Sequence, residues 1–390
     1  MPGDQQRTGV WLVGARGSVA TTATVGALAL RAGLTPATGV VSDLPEVAVA
    51  GLPPLDGLVV GGHDLGTDPL VKRAEQLADG GVLPRALPTA LVDELDAVDR
   101  RLRPGYEPGA GERQGEAVDR LAADLVAFRE TDGLSRVVVV DVASTEPPVP
   151  ADRLVDGPLA DPDALTESLD RGEAPLPASS VYALAAYRAG CPVVAFTPSP
   201  GPRLPALVAT AERAALPWAG SDGKTGETLL KSALGPMFAT RALQVRSWAS
   251  FNMLGGGDGA TLADAGTAAS KLATKGRGLE AILGQPVDGP MHIDYVPDHG
   301  EWKTAIDHIS FEGFFGTRMS LQFTWTGADS ALAAPLVLDL ARLTLRAHEV
   351  AETGPLPFGF FFKDPAGSDE HRLGAQWDQL VAWCERVAPR

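Results

Sequence analysis

Four runs of apolar and β-branched residues constrain this chain more than any other feature: GVWLVGA (9–15), LDGLVVGG (55–62), SRVVVVDVA (135–143) and CPVVAFT (191–197). Each run is continuous rather than alternating, so a strand made from it is apolar on both faces and needs cover on both. Helical stretches separate the runs, and the arrangement that buries such strands is a parallel sheet held between layers of helices. From 66 to 134 the chain reads as helical, polar and mixed in charge, with RPGYEPGAGERQG (103–115) as a surface loop broken by Pro and Gly. Between about 241 and 334 the pattern changes. RALQVRSWASFNML, GPMHIDYVP and GTRMSLQFTWTG alternate as half-exposed strands do, and a final apolar helix, SALAAPLVLDLARLTLRAHEVA, follows.

The first run leads into VGARGSVATTATVGALAL, which places Gly14-x-x-Gly17-x-x-Ala20 at a strand-to-helix turn. A dinucleotide pyrophosphate needs such a turn, a spot without a side chain, and a helix N-terminus aimed at the anion. Arg16 occupies a position where the strict fingerprint has glycine, so the motif also reads as a tight turn alone. An acid for the adenosine ribose follows a later strand in this arrangement, and Asp43 and Asp64 are the candidates; either also reads as a helix cap.

A second phosphate signal lies in WAGSDGKTGETLLKSALG (218–235), where Gly-Lys-Thr precedes a helix as in a P-loop. The full pattern requires a glycine five residues before the second one, and Trp218 stands there. What is left is a small-residue turn carrying Asp222, Lys224 and Thr225, opening onto a helix whose free N–H groups suit one phosphate rather than a polyphosphate.

At 390 residues and 45% hydrophobic content the chain is long enough for two domains. A net charge of −16 disfavours nucleic acid and membrane surfaces as partners, since both are anionic. Cys191 and Cys384 form neither a disulfide framework nor a metal spacing and read as buried thiols in a reducing cytoplasm. With no signal peptide and no long apolar segment, the chain is expected to be soluble and intracellular. Of 33 basic residues, lysine accounts for Lys72, Lys224, Lys231, Lys271, Lys275, Lys303 and Lys363 alone. All but Lys72 fall between 224 and 363. Lysine is a compact cation whose pKa moves on burial, whereas guanidinium stays charged, so this clustering points to a site built around a small anionic substrate.

Taken in order, the motifs resemble those of the myo-inositol-1-phosphate synthase family over nearly the whole chain. AGSDGKTGETLLKS (219–232) resembles GDDxKSGQTKxKS, FNMLGGGDG (251–259) is similar to YNHLGNNDG, and KLATK (271–275) stands where the family has KEISK. DYVPDHGEWKTAID (294–307) and FFFKDP (360–365) resemble its two later lysine segments. The resemblance implies an α/β chain in which a Rossmann-type, doubly wound NAD-binding domain (8–240 plus 335–390) carries a second α+β domain (241–334) for catalysis and tetramer contact. It implies an NAD-dependent intramolecular lyase, a cytoplasmic homotetramer that turns D-glucose 6-phosphate into 1D-myo-inositol 3-phosphate without net redox change. In that chemistry C5 is oxidised, the resulting ketone acidifies C6, the C6 carbanion closes on the C1 aldehyde, and C5 is reduced again. Each stage puts negative charge on oxygen, which fixed cations in a dry site stabilise.

Carried over residue by residue, the resemblance assigns Thr225, Gly226 and Glu227 to the substrate phosphate, with Asn252, Leu254 and Gly256 beside the sugar. It assigns Lys275 and Lys303 to the phosphate and oxyanion, Lys271 and Lys363 to the C5-oxygen proton and the enolate, and Asp222, Asp258 and Asp329 to orienting lysines, substrate or nicotinamide. Gly14, Ala15, Arg16, Gly17, Ser18, Val19 and Ala20 would face the pyrophosphate, Asp64 the ribose, and Ser144 the nicotinamide. Asp222 and Asp258 are equally open to holding a cation. There are departures. Glu227 replaces a glutamine, Gly256 and Gly257 replace paired asparagines, and FTPSPGPRLPA (196–206) brings in Arg203. These leave room for a relative that closes fructose 6-phosphate to a five-membered cyclitol, and, outside the family's chemistry, for a simple NAD-dependent dehydrogenase or an NAD-binding regulator.

Overall fold

The computed structural model describes residues 7–255 and 279–389. Strands β1 (Thr8–Val13), β2 (Leu58–Asp64), β3 (Leu102–Pro104), β4 (Arg136–Asp141), β5 (Val193–Ala195) and β6 (Pro217–Gly220) lie in one sheet. A second sheet holds β7 (Gln244–Leu254), β8 (Met291–Tyr295), β9 (Trp302–Glu312) and β10 (Arg318–Ala328), and β11 (Gly354–Pro355) returns to the first. The first sheet is parallel throughout, in the order β11-β6-β5-β4-β1-β2-β3. The helices that position the site are α1 (Ser18–Arg31), α2 (Gln114–Thr131), α3 (Ala178–Arg188), α4 (Glu227–Thr240), α5 (Asp329–Glu349) and α6 (Leu373–Arg386).

The continuous apolar runs have the consequence expected of them. Val10, Leu12, Val138 and Val140 face a core shared with α1, α5 and α6. Their neighbours Trp11, Val13, Val137 and Val139 face a separate core shared with α2 and α3. Each such side chain contributes about 1.5–3 kcal/mol by leaving water, so a polar residue at any of them would break one of the two layers. Strand order reverses between β1 and β4. That is a topological switch point, and it opens a crevice at the carboxyl ends of the strands.

The second sheet runs β10-β9-β7-β8, with antiparallel pairs except β7–β8, which is parallel. Phe238 of α4 packs with Trp248 and Ile309 to form its core. Three elements of the first sheet were not expected from the sequence. Strands β3, β6 and β11 span two to four residues, too short to show any periodicity, and β6 runs into the start of the WAGSDG motif. The loop 103–115 is also not purely a surface feature, because Tyr106 is buried and its N–H donates to the Tyr182 hydroxyl at 2.6 Å.

Candidate active site

A cavity of about 850 Å³ occupies the switch point. Its wall includes Gly14, Arg16, Gly17, Ser18, Val19, Asp64, Ser144 and Asp329, all expected on the cofactor side. Ala15 and Ala20 do not line it: both side chains are buried in the core under the turn. Gly14 has φ +79°, and a Cβ there would lie 2.8 Å from Ala143 Cα, so only glycine fits between β1 and β4. The Gly14 and Ala15 N–H groups donate to the His63 carbonyl, which ties the turn to the end of β2. Asp64, the last residue of β2, accepts from Arg16 N–H at 2.7 Å and Gly66 N–H at 2.6 Å. Asp43 is elsewhere, in a 3-10 turn with its carboxylate 4.0 Å from Arg342. Arg16 is held at the cavity rim by the Gly66 and Asp68 carbonyls and by Asp99.

A second cavity of about 140 Å³ adjoins the first, and Val19, Val142, Ala143, Leu254, Lys303 and Asp329 line both. Its wall brings together Asp222, Thr225, Gly226, Glu227, Asn252 and Lys363, which the sequence spreads over some 140 positions. The pairing of charges is specific. Lys363 Nζ lies 2.7 Å from Asp222 Oδ1, and Lys303 Nζ lies 3.4 Å from one Asp329 oxygen while Thr225 Oγ1 lies 3.5 Å from the other. Lys271, Lys275, Asp258 and Gly256 lie outside the described residues.

The turn between β6 and α4 is held by neighbours distant in sequence. Lys363 N–H donates to the Asp222 carbonyl, Lys224 N–H to the Phe361 carbonyl, and Ser221 N–H to the Asp364 carbonyl. Arg203 closes this seam from behind, donating to Ser221 Oγ at 2.8 Å and Asp364 at 2.6 Å, and it lines neither of the two cavities. Glu227 does not present an uncompensated carboxylate. Its side chain is buried, with Lys231 Nζ at 2.5 Å, and Lys231 also donates to Ser250 at 3.1 Å, close to buried Asp307. Burial is the main cause that raises the pKa of Asp307, and Glu227 adds to it.

Several buried polar atoms in the cavity walls have no hydrogen-bond partner among the described residues. Both side-chain amide atoms of Asn252, which is 1% exposed, are unpartnered, as are Thr228 Oγ1 at the smaller cavity and Ser330 Oγ at the larger. Orphaned groups of this kind are costly unless something polar fills the space in front of them.

A family model described as myo-inositol-1-phosphate synthase, of the NAD-binding class, matches residues 8–385. The chain belongs to the myo-inositol-1-phosphate synthase family. It is 31% identical over 407 residues to inositol-3-phosphate synthase 1 of Bacteroides thetaiotaomicron, covering 95% of this chain and 93% of that one. It is 31% identical over 394 residues to inositol-3-phosphate synthase of Trypanosoma brucei brucei, covering 89% and 74%. The crystal structure of inositol-3-phosphate synthase from Caenorhabditis elegans shares the fold, with TM-score 0.86, 23% identity, and 99% and 86% coverage. Membership makes this chain an NAD-dependent intramolecular lyase. Among the described residues no helix is long and apolar enough to cross a membrane.

Several site features escaped the sequence reading. His63 lines the larger cavity, accepts at Nδ1 from Trp11 Nε1 at 2.8 Å, and meets Asp124 at Nε2. Indole nitrogen only donates, so Nδ1 is bare and the ring proton sits on Nε2; burial lowers the His63 pKa and keeps it neutral. Glu146 of ASTEPP accepts from the Ala178 and Ser179 N–H groups and so caps α3. The acid-before-helix signal existed, but the helix begins 32 residues later.

Lys224 is buried too, and desolvation lowers its pKa from 10.5 to about 7. The unfolded chain keeps that proton up to about 10.5 and the folded protein releases it near 7, so stability rises with pH across this window. The melting temperature of the wild type, measured against Lys224→Met, should gain steadily from pH 7 to pH 10. A flat difference would contradict this.

Proposed function

We propose that this enzyme converts D-glucose 6-phosphate into 1D-myo-inositol 3-phosphate, with NAD in the larger cavity and the sugar phosphate in the smaller. The observation that carries the reading is the junction of the two cavities, where Lys303 and Asp329 belong to both walls and the Asp222–Lys363 pair flanks the smaller one. The larger cavity fits the cofactor. Gly14 lets the β1–α1 turn pack against Ala143 at the cavity wall, the start of α1 offers N–H groups to a pyrophosphate, Asp64 on the same wall suits ribose hydroxyls as an acceptor, and the Ser330 hydroxyl has no partner among the described residues, near Ser144 and Asp329.

NAD, when bound, supplies the reversible oxidation and reduction at C5. The chain supplies the rest. The N–H groups at the start of α4, from Thr225 to Glu227, together with the Thr228 hydroxyl, take the phosphate, and Lys231 keeps the Glu227 carboxylate from opposing it. Lys303, held by Asp329, shares the phosphate and oxyanion charge. Lys363, held by Asp222, moves the proton at the C5 oxygen and steadies the enolate. Asn252 bonds a sugar hydroxyl, and Leu254, Ile293 and Phe196 keep water out. Lys271, Lys275 and Asp258 keep the roles that the resemblance assigns them.

The test is product identity by NMR after incubation with NAD and either glucose 6-phosphate or fructose 6-phosphate, with NADH absorbance followed in parallel. Inositol phosphate from glucose 6-phosphate with no NADH accumulation is the expected result. A five-membered cyclitol from fructose 6-phosphate, or stoichiometric NADH, would overturn the assignment. Asp64→Ala should weaken NAD binding by about 1–3 kcal/mol in a calorimetric titration, and unchanged affinity would refute the ribose contact. Two coarser expectations belong here as well. Buried free thiols at Cys191 and Cys384 suit a cytoplasmic enzyme. The second sheet's outer face, where Phe251 stacks on His292 in the open, suits subunit contact in a homotetramer that light scattering would reveal.

A further inference from the structure

Lys224 is 4% exposed, and no carboxylate lies within ion-pairing distance of it among the described residues. Its Nζ donates to neutral acceptors, the Gly359 carbonyl at 3.3 Å and Gln376 Oε1. Gln376 belongs to α6 and donates in turn to the Glu370 carbonyl, while Gly359 opens the short turn that leads through buried Phe361 and Phe362 to Lys363. At its backbone end Lys224 sits two residues after Asp222 and donates its N–H to Phe361. One side chain therefore spans from the turn that carries Asp222, through the strap that carries Lys363, to the terminal helix. It also borders a small cavity of about 20 Å³ with Lys231, Lys363 and His371.

We propose that Lys224 is a positioning residue, which locks the C-terminal strap against the β6–α4 turn and so sets the Asp222–Lys363 pair at the wall of the substrate cavity. The proposal rests on the reading of that cavity given above. A buried cation without a counter-charge is a poor choice for stability alone, since an apolar side chain of the same length avoids the desolvation cost. Its value lies in an amine that, protonated or neutral, has a donor for each of two acceptors, the Gly359 carbonyl and Gln376 Oε1, and so holds two segments in fixed register, which a thioether does not do.

The experiment compares Lys224→Met, Lys363→Ala and the double variant in the full-length protein with NAD and glucose 6-phosphate. Lys224→Met should melt at or above the wild-type temperature at pH 7 and bind NAD within twofold, yet lose about 10- to 100-fold in kcat, the scale of a misplacement near 1 Å. In the Lys363→Ala background the same substitution should cost less than twofold, because the group being positioned is already gone. Wild-type kcat in Lys224→Met, a fall in kcat accompanied by a lowered melting temperature, or full additivity in the double variant would each overturn the proposal. Full activity in Lys363→Ala would instead remove the reading of the cavity on which it rests.

Discussion

Replacing Lys303 by alanine should lower turnover of glucose 6-phosphate by about two orders of magnitude or more, the scale of losing one preorganised oxyanion donor. Lys303 is on β9, its side chain is 18% exposed, and Asp329 lies 3.4 Å away. Without the lysine, Asp329 would face the phosphate and the developing oxyanion as an unpaired negative charge in a partly dry cavity, so both the lost cation and the remaining anion raise the barrier. Lys363→Ala should act comparably through Asp222. The double variant should be little worse than either single one, because the two pairs act on the same charge build-up. Lys72 is the control. It lies on the solvent side of the helix Leu70–Asp79, its ion pair among the described residues is with Asp68 just before that helix, both side chains are more than half exposed, and its alanine variant should keep near-normal activity. Steady-state kinetics on folded, NAD-binding protein decides the matter, and equal activity of the Lys72 and Lys303 variants would end the cyclisation mechanism proposed here.

Gly14→Val should reduce NAD affinity by about 100-fold. The backbone at Gly14 has φ +79°, where a β-branched residue carries about 1–3 kcal/mol of strain, and the new Cβ would lie 2.8 Å from the Ala143 backbone. Relief of that clash moves either the β1–α1 turn or the end of β4, and both border the cofactor cavity. Gly33→Ala separates strain from position. Gly33 also has positive φ, at +67°, but a Cβ there meets nothing within 4 Å, so this variant should lose stability without losing NAD affinity. If the two variants bind NAD equally well, the turn does not form the pyrophosphate site.

The sequence alone was informative wherever a signal is local. The runs around Val10, Val59, Val138 and Val194 could only be strands buried on both sides, because no other arrangement covers an unbroken apolar segment of that length. Gly14 and Gly17 marked the turn after the first strand, and the arginine-for-lysine bias marked Lys303 and Lys363, among the clustered lysines, as unusual. The failed P-loop pattern at Trp218 likewise had a local cause, since that residue belongs to a strand and not to a loop. What stayed illegible was everything decided by which surfaces meet. Ala15 and Ala20 fall inside the same glycine motif as Gly14, yet they point into the core, because the turn exposes one edge and the helix buries the other. The i,i+4 spacing of Glu227 and Lys231 is itself local, but the burial of that pair against Ser250 and Asp307 was decided only by the packing of α4 on the second sheet. The partnership of Asp222 with Lys363 spans 141 positions, and it depends on a C-terminal segment that adds a two-residue strand to β6 and then pairs with the turn beyond it. Composition and periodicity report the free energy of single segments leaving water. Pairings across the chain are set by the mutual fit of those segments after they pack, and that fit exists only in the tertiary structure.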